Sequence, residues 1–213
     1  MVHWIYKLIQ KKTVCIRIGI RWRAPCHPII AEGFHLSWVE EAKYLGVVFK
    51  SGKFFSCNWH SARNAYYKAT NNILGVLGAN PSIQVALALA RASCIPIITY
   101  GLSAISLSAA DLSQLAFAYN NIFAKLYHIK ELVTIEQCQY YSGFWPFRTV
   151  YEFLRYTFLS HVFESSGGCS SDSLDHPDYT DFISIAKKYS FNCNDSRACL
   201  KWKVWRFLER SLF

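Results

Sequence analysis

The chain is organised around one stretch, KYLGVVFKSGK at residues 43–53. Its apolar run of Tyr, Leu, Val and Phe favours a β-strand, and lysines bound that run on both sides. Gly46 inside the run marks a bulge or a close approach of another backbone. Ser51-Gly52 then supplies a tight turn, so the stretch predicts a strand that ends in a hairpin with lysines at its tip. An ordinary sheet edge with solubilising charge is the simpler interpretation of these residues alone.

Residues upstream of this stretch predict more strands. From residue 13 to residue 20 every second residue is Val or Ile, which predicts a strand with one apolar face and with Arg17 on the other. That apolar face consists of Val14, Ile16, Ile18 and Ile20. Residues 21–28 contain two prolines and predict a loop, and Gly33 marks the turn of a small hairpin.

Downstream of the stretch the pattern changes from strands to helices. From Asn58 the apolar residues recur at spacings of three and four, as on one face of a helix. The first helix ends at the glycines before Pro81, and Pro81 opens the second. The sequence therefore predicts an α+β fold, with a small, mostly antiparallel β region at about 13–56 and an α-helical bundle at about 59–163.

The chain changes character again after the bundle. Residues 164–195 are rich in Ser, Gly and Asp, which predicts a flexible acidic linker. Residues 196–213 place apolar side chains on one helical face and basic ones largely elsewhere. This pattern predicts a basic amphipathic helix that docks on a partner, on nucleic acid or on a membrane surface. Together with the β region at 1–57 and the helical domain at 58–163, these are the four predicted segments.

Several motifs occur in a set order along the chain. Lys11-Lys12 and Arg17-Ile18-Gly19 precede Lys43-Tyr44-Leu45-Gly46, and Trp59-His60 then leads into the long helical region. In this order the motifs resemble the end of the palm, the primer-grip hairpin and the thumb of a reverse transcriptase from a non-LTR (LINE-type) retrotransposon, an RNA-directed DNA polymerase. The resemblance covers about residues 8–160. Ile9 and Ile20 depart from it, because the family often has Asn and Pro at those places.

The resemblance implies a surface that binds nucleic acid. In the family the primer-grip hairpin holds the 3′ end of the primer strand, in front of the strand that carries the paired lysines. Exposed residues of the first thumb helix face the duplex backbone, where contacts position a duplex without reading its sequence. The residues implied here are Lys43, Tyr44, Leu45 and Gly46 in the hairpin, Lys12 behind it, and Arg63, Tyr67 and Lys68 on the helix.

The carboxylates of a polymerase are missing from these motifs. Enzymes of the resembled family hold two magnesium ions with carboxylates that include an adjacent Asp pair. The first Asp of this chain is Asp111, and Glu40 and Glu41 point to opposite faces of a strand. The Cys and His residues show no zinc spacing. We therefore predict no catalytic or metal-binding residue and no cofactor in this chain, with Mg²⁺ expected only for the intact parent enzyme.

Positive charge is concentrated near the start of the chain. The formal net charge is +9, and residues 1–68 hold eleven Lys and Arg against three acidic residues. Localised charge of this kind suits nucleic acid, by resemblance an RNA/DNA template–primer duplex. The resemblance also implies the palm and fingers of the parent polymerase as partners, without which the apolar strand face at 13–20 is expected to be poorly covered. Eight Cys without a CxxC motif, and no secretory signal, favour an intracellular protein, nuclear or cytoplasmic.

Residues 92–110 carry no charge and could form a membrane span. The run contains Pro, Gly and several Ser residues, and Arg91 directly precedes it, so a buried core helix is the better interpretation.

The first hypothesis for the function is a fragment of a LINE-type polymerase that is inactive by itself and keeps at most sequence-nonspecific binding of a template–primer duplex. The alternatives are an inert product of a decayed retroelement and a small membrane-associated protein that uses residues 83–110.

Overall fold

The computed structural model describes residues 13–31, 33–78, 81–165 and 177–213. The structure is α+β, as the sequence predicted. The chain divides into two compact units, the first ending at His60 and the second running from Ser61 to Phe213. Lys12, one of the implied binding residues, lies outside the described residues.

Short strands make up the first unit. Its described residues form β1 (Val14–Cys15), β2 (Ile29–Ala31), β3 (Phe34–Trp38), β4 (Glu41–Tyr44), β5 (Val47–Lys50) and β6 (Ser56–Asn58). These strands form two sheets, in the orders β1-β3-β2 and β4-β5-β6. Among the described strand pairs β1–β3 is parallel and the other three are antiparallel, so the predicted, mostly antiparallel β region is confirmed. The hairpin predicted around Gly33 is the β2–β3 pair.

The stretch at residues 43–53 contains two strands rather than one. β4 and β5 pair with Tyr44 opposite Val47, so Leu45 and Gly46 are the two residues of a tight turn. Both have positive φ, 46° and 86°, as a type I′ turn requires. The predicted bulge at Gly46 is therefore wrong, because this glycine supplies the left-handed backbone of a hairpin turn. The hairpin that the resemblance implied at residues 43–46 is present. The hairpin predicted to turn at Ser51-Gly52 is present, and residues 51–55 connect its strands β5 and β6.

The strand predicted at residues 13–20 is shorter than expected. β1 ends at Cys15, and Gly19, with φ of 126°, turns the chain away from a strand path. The Gly19 amide donates to the Gly52 carbonyl at 2.9 Å, and the Gly52 amide donates to the Arg17 carbonyl at 3.1 Å. This segment therefore connects the two sheets through backbone hydrogen bonds instead of extending one of them.

The described part of the first unit buries few side chains. Among its described residues only Cys57 and Trp59 are buried. The strand face predicted at 13–20 is poorly covered, as expected, with Ile20 at 86% exposure. Two more large apolar side chains of the unit, Ile30 and Phe54, are exposed by 61% and 73%. Backbone pairing, rather than apolar packing, holds the unit's strands together.

Helices make up the second unit. Those in its described residues, with α1 beginning at the division, are α1 (His60–Leu77), α2 (Ile83–Leu89), α3 (Ile95–Thr99), α4 (Ala109–Tyr127), α5 (Leu132–Tyr141), α6 (Phe147–Ser165), α7 (Pro177–Tyr189) and α8 (Arg197–Leu212). A π-helical turn, Ala90–Cys94, joins α2 to α3. The predicted helical bundle is thus present, and it extends beyond residue 163.

Aromatic side chains dominate the core of the second unit. Tyr119 on α4 lies 5.4 Å from the ring of Phe147, at the start of α6. Farther along α6, Tyr156 stacks on Phe182 of α7 at 4.9 Å. Burial raises the pKa of Tyr156 to about 12, so this phenol stays neutral over the physiological range. Because it contributes to both ring pairs, α6 ties the earlier helices to the last two.

The flexible linker predicted at 164–195 is wrong over residues 177–189, which form α7. Phe182, Ile185 and Tyr189 are buried at helical spacing, so the segment has an apolar face of its own. Asp178 and Asp181, which suggested a solvated linker, form ion pairs with the buried guanidinium of Arg155 on α6. Residues 166–176 of the predicted linker lie outside the described residues.

The amphipathic helix predicted at 196–213 is confirmed as α8. The Ser196 hydroxyl caps its start by accepting a hydrogen bond from the Cys199 amide at 3.3 Å. Leu200, Val204 and Leu208 on its apolar face are buried against the rest of the unit. From Ser61 onward, the described parts of the segments predicted as 58–163, 164–195 and 196–213 therefore belong to one unit. Apolar residues of α6, α7 and α8 share one core.

Candidate nucleic-acid interface

The four hairpin residues implied to bind nucleic acid lie together at the tip of β4 and β5. Lys43 and Gly46 are exposed, and Tyr44 and Leu45 are 66% and 70% exposed. The tip thus presents one cation and two apolar groups to the solvent.

The sheet behind this tip has one polar and one apolar face. Residues that are opposite each other in an antiparallel pair share a face, so Lys43 lies with Val48, and Glu41 lies with Lys50. On the same face the Asn58 amide donates to the Glu41 carboxylate at 3.0 Å. Tyr44 lies on the other face, which also carries Ala42, Val47, Phe49 and Cys57. The hairpin therefore separates its lysine from its aromatic side chain.

Leu45 occupies a strained backbone position. Its φ of 46° lies in the left-handed region, where the Cβ of an L-residue crowds the following carbonyl oxygen and costs about 1–2 kcal/mol. Asn or Gly is the usual residue at this place in a type I′ turn. Strain retained at an exposed apolar residue is typical of a functional site. Leu45 therefore combines an exposed apolar side chain with a strained backbone at the tip.

The three helix residues implied to face a duplex differ in their environments. Arg63 is half-buried and its guanidinium donates to the side-chain oxygen of Gln114 on α4. Tyr67 is half-buried, and its ring lies 6.4 Å from that of Tyr66. Lys68 is exposed and forms no ion pair within the described parts of the chain. Lys68 is thus the member of the three most open to a phosphate.

The structure places these residues in two groups. The hairpin group belongs to the first unit, and the α1 group belongs to the second. Arg63, Tyr67 and Lys68 occur within two turns of one helix, and the hairpin residues are consecutive in sequence. Each group is therefore a local surface with its own scaffold.

Sequence reasoning missed a pairing of arginines with tryptophans in the first unit. The Arg23 guanidinium lies 4.5 Å from the ring centroid of Trp22, and that of Arg17 lies 5.7 Å from Trp38. These four residues line a groove of about 340 Å³. The Arg-Trp-Arg run at 21–23 was a visible signal in the sequence, but the loop prediction did not use it.

The structure offers no catalytic metal centre within the residues it describes. No three His, Cys, Asp or Glu side chains there are grouped so as to hold a metal ion. Glu41 is bonded to Asn58, and Glu40 precedes β4 with its carbonyl accepting from the Ser51 amide at 2.7 Å. The cysteines in these parts of the chain are free thiols.

Within the residues that the structure describes, one segment is long and apolar enough to cross a membrane, Ile83–Ala104. By length and composition alone this is weak evidence, since a core helix of a folded unit passes the same test. Ala86, Ala90 and Cys94 lie at a spacing of four along it and are almost completely buried. This stripe packs inside the second unit, and in all 33% of the segment's most apolar window is buried.

Comparison of the chain with protein-family models, with curated proteins and with solved structures found no match. The functional argument therefore depends on the residues and their geometry, and on the motif order in the sequence.

Proposed function

We propose that this chain is the carboxyl-side part of a LINE-type reverse transcriptase and that it binds a template–primer duplex without sequence preference. The observation that carries the proposal is the tip of the β4–β5 hairpin. There the Lys-Tyr-Leu-Gly motif forms an exposed, strained turn, with Lys43 on the polar face and Tyr44 on the other. A primer grip needs such an arrangement, because a rigid turn has to present side chains to the 3′ end of the primer.

Charge supports the same proposal. The basic excess of residues 1–68 lies in the part of the chain that contains the hairpin and the first turns of α1. Exposed lysines that neutralise phosphates release counterions, so binding of this kind is salt-dependent and sequence-independent. Among the members of the implied set that the structure describes, Lys43 and Lys68 are the exposed charged residues.

Binding without catalysis is the expected activity of this chain. The first Asp is Asp111, far downstream of the hairpin, so the adjacent Asp pair of the resembled polymerases is missing here. We expect no primer extension on an RNA template with Mg²⁺ or Mn²⁺. Template-dependent extension that survives repurification and disappears in Glu41→Gln would contradict this part of the proposal.

Fluorescence anisotropy with a labelled RNA/DNA heteroduplex tests the binding. The double variant Lys43→Ala/Lys68→Ala should lower the slope of log affinity against log salt by about two, because each lost phosphate contact removes about 0.9. Lys130→Ala/Arg148→Ala is the matched control, since it removes two exposed charges from elsewhere on the chain. Equal effects of the two double variants would show that the charge acts without a defined surface.

The apolar part of the tip has its own test. Tyr44→Ser removes an exposed ring without changing charge, so it should weaken heteroduplex binding several-fold and leave the salt slope unchanged. Phe54→Ser removes a similarly exposed ring that lies outside the tip and serves as the control. Binding that is insensitive to Tyr44→Ser would remove the hairpin tip from the interface.

A further inference from the structure

A groove on the second unit lies outside the implied duplex surface. It runs between the end of α7 and the outer face of α8 and has a volume of about 360 Å³. Its principal lining side chains are Lys188, Trp202, Lys203, Arg206, Phe207 and Arg210. Four of these six side chains are cationic and the other two are aromatic, so the groove suits an anionic ligand with flat rings.

The opposite face of α8 is not available for a ligand. Leu200, Val204 and Leu208 are at most 7% exposed and pack within the core of the unit. An amphipathic helix that binds a membrane has to insert its apolar face, and here that face is occupied. The docking helix expected from the sequence thus presents its polar side to the outside, where basic residues and Trp202 outnumber the single exposed acid, Glu209.

Two of the four cations are already neutralised. The Lys188 amine lies 2.7 Å from the Glu152 carboxylate, and the Lys203 amine lies 2.5 Å from that of Asp195. Lys203 also donates to the Ser190 carbonyl at 2.7 Å, which fixes the groove wall between α7 and α8. Arg206 and Arg210 form no ion pair with any described residue, so their charge is available to a ligand.

Trp202 supplies the flat surface. Its side chain is 56% exposed, and the Arg206 guanidinium lies over its ring at 5.1 Å from the centroid. An exposed indole beside an arginine is the arrangement on which single-stranded nucleic acids stack their bases. A duplex keeps its base faces covered by neighbouring pairs and cannot use such a ring except at its ends.

We propose that this groove binds single-stranded nucleic acid, with one base stacked at Trp202 and adjacent phosphates at Arg206 and Arg210. The two arginines are four residues apart on α8, so they lie on the same side of the helix. Spacing of this kind allows contact with neighbouring phosphates of one strand. The site is independent of the hairpin tip, because it belongs to the second unit and takes a different form of nucleic acid.

The test uses the full chain and three fluorescein-labelled strands: an RNA 12-mer of uridine, an RNA 12-mer of adenosine, and an abasic strand of the same length. The wild-type protein should bind the two base-containing strands more tightly than the abasic strand. Trp202→Ala should remove that preference and weaken binding of the adenosine strand about 10-fold. Arg206→Ala/Arg210→Ala should lower the salt slope by about 1.4, or 0.7 per contact on a single strand.

Arg197→Ala/Lys201→Ala is the matched control, since it removes two exposed cations at the same spacing on the same helix but outside the groove. It should leave the base preference and most of the affinity intact. The three replaced groove residues are exposed, and far-UV circular dichroism should show unchanged helicity in each variant.

Three outcomes would overturn the proposal. The first is an equal loss of affinity in Arg206→Ala/Arg210→Ala and in the control Arg197→Ala/Lys201→Ala. The second is a preference for base-containing strands that persists in Trp202→Ala. The third is that the wild-type protein binds none of the single strands. Binding of a poly-glutamate peptide or of anionic vesicles that is lost only in the groove variants would assign the groove to a different partner. The hairpin variant Lys43→Ala/Lys68→Ala should leave single-strand binding in place, so failure of the duplex proposal and failure of this one are distinguishable.

Discussion

The backbone strain at Leu45 leads to a quantitative prediction about the hairpin. Replacing this residue with Asn keeps the turn but supplies a side chain that tolerates the left-handed region, so about 1–2 kcal/mol of strain is relieved. The leucine is 70% exposed, so its removal sacrifices only about a third of the roughly 2 kcal/mol that full burial provides. Leu45→Asn should therefore stabilise the hairpin by about 0.3–1.3 kcal/mol.

Native-state hydrogen exchange of the β5 amides measures this change directly. Their opening free energy should rise in Leu45→Asn, while that of the α6 amides in the second unit should not change. Ile30→Asn is the control, because Ile30 is similarly exposed but lies within β2 and is not among the residues with positive φ. It should lower the protection of its own sheet, since it removes a β-branched residue without relieving strain.

The same substitution separates stability from function. If the leucine side chain contacts a primer end, Leu45→Asn should weaken heteroduplex binding although it stabilises the protein. Unchanged or reduced protection of β5 would refute the argument from strain. Increased protection of the β5 amides together with unchanged heteroduplex binding would support the argument from strain. It would also show that the leucine side chain does not contact the duplex.

Two further predictions concern the second unit. Arg155→Met should lower its free energy of unfolding in urea by about 2–3 kcal/mol, less than for a fully buried ion pair because Asp178 and Asp181 are 36% and 43% exposed. Exposed Arg148→Met on the same helix is its control, and an equal loss there would contradict the special role of the ion pairs. The Lys203 amine holds the pKa of Asp195 below its usual 3.8, so this pair's stabilisation is complete above that pH and lost as pH falls through the lower folded-state pKa. Thermal unfolding should show the stability difference between wild type and Lys203→Met narrowing below pH 3.8, and a constant difference down to pH 2 would exclude the pair as its cause.

Periodicity in the sequence predicted the helical bundle and α8, because those helices bury apolar stripes, whereas α7 was predicted to be part of a linker. Leu200, Val204 and Leu208 are an example, since their spacing alone indicates α8 and its buried face. The α+β order was visible for the same reason, as strand-like alternation changes to helical spacing near Asn58. A local periodic pattern predicts the right element when the tertiary structure buries the face that the pattern marks as apolar.

Long-range partners explain most of the wrong predictions. Asp178 and Asp181 suggested a solvated linker, because their partner Arg155 is more than twenty residues away in sequence and its burial is a property of the fold. Leu45-Gly46 lacks the Asn-Gly signature of a type I′ turn, so the apolar run around it suggested one continuous strand. The α7–α8 groove depends on ion pairs of Lys188 and Lys203 that no spacing rule shows.

The exposed apolar residues of the first unit have a consequence for calorimetry. Heat capacity rises on unfolding mainly because apolar surface becomes hydrated, and in this unit much of that surface is hydrated already. Its melting should thus contribute little to the heat-capacity step, and the second unit should dominate the calorimetric trace. A partner that covers Ile20, Ile30 and Phe54 should remove their apolar surface from water. Its association should therefore have a large negative heat-capacity change.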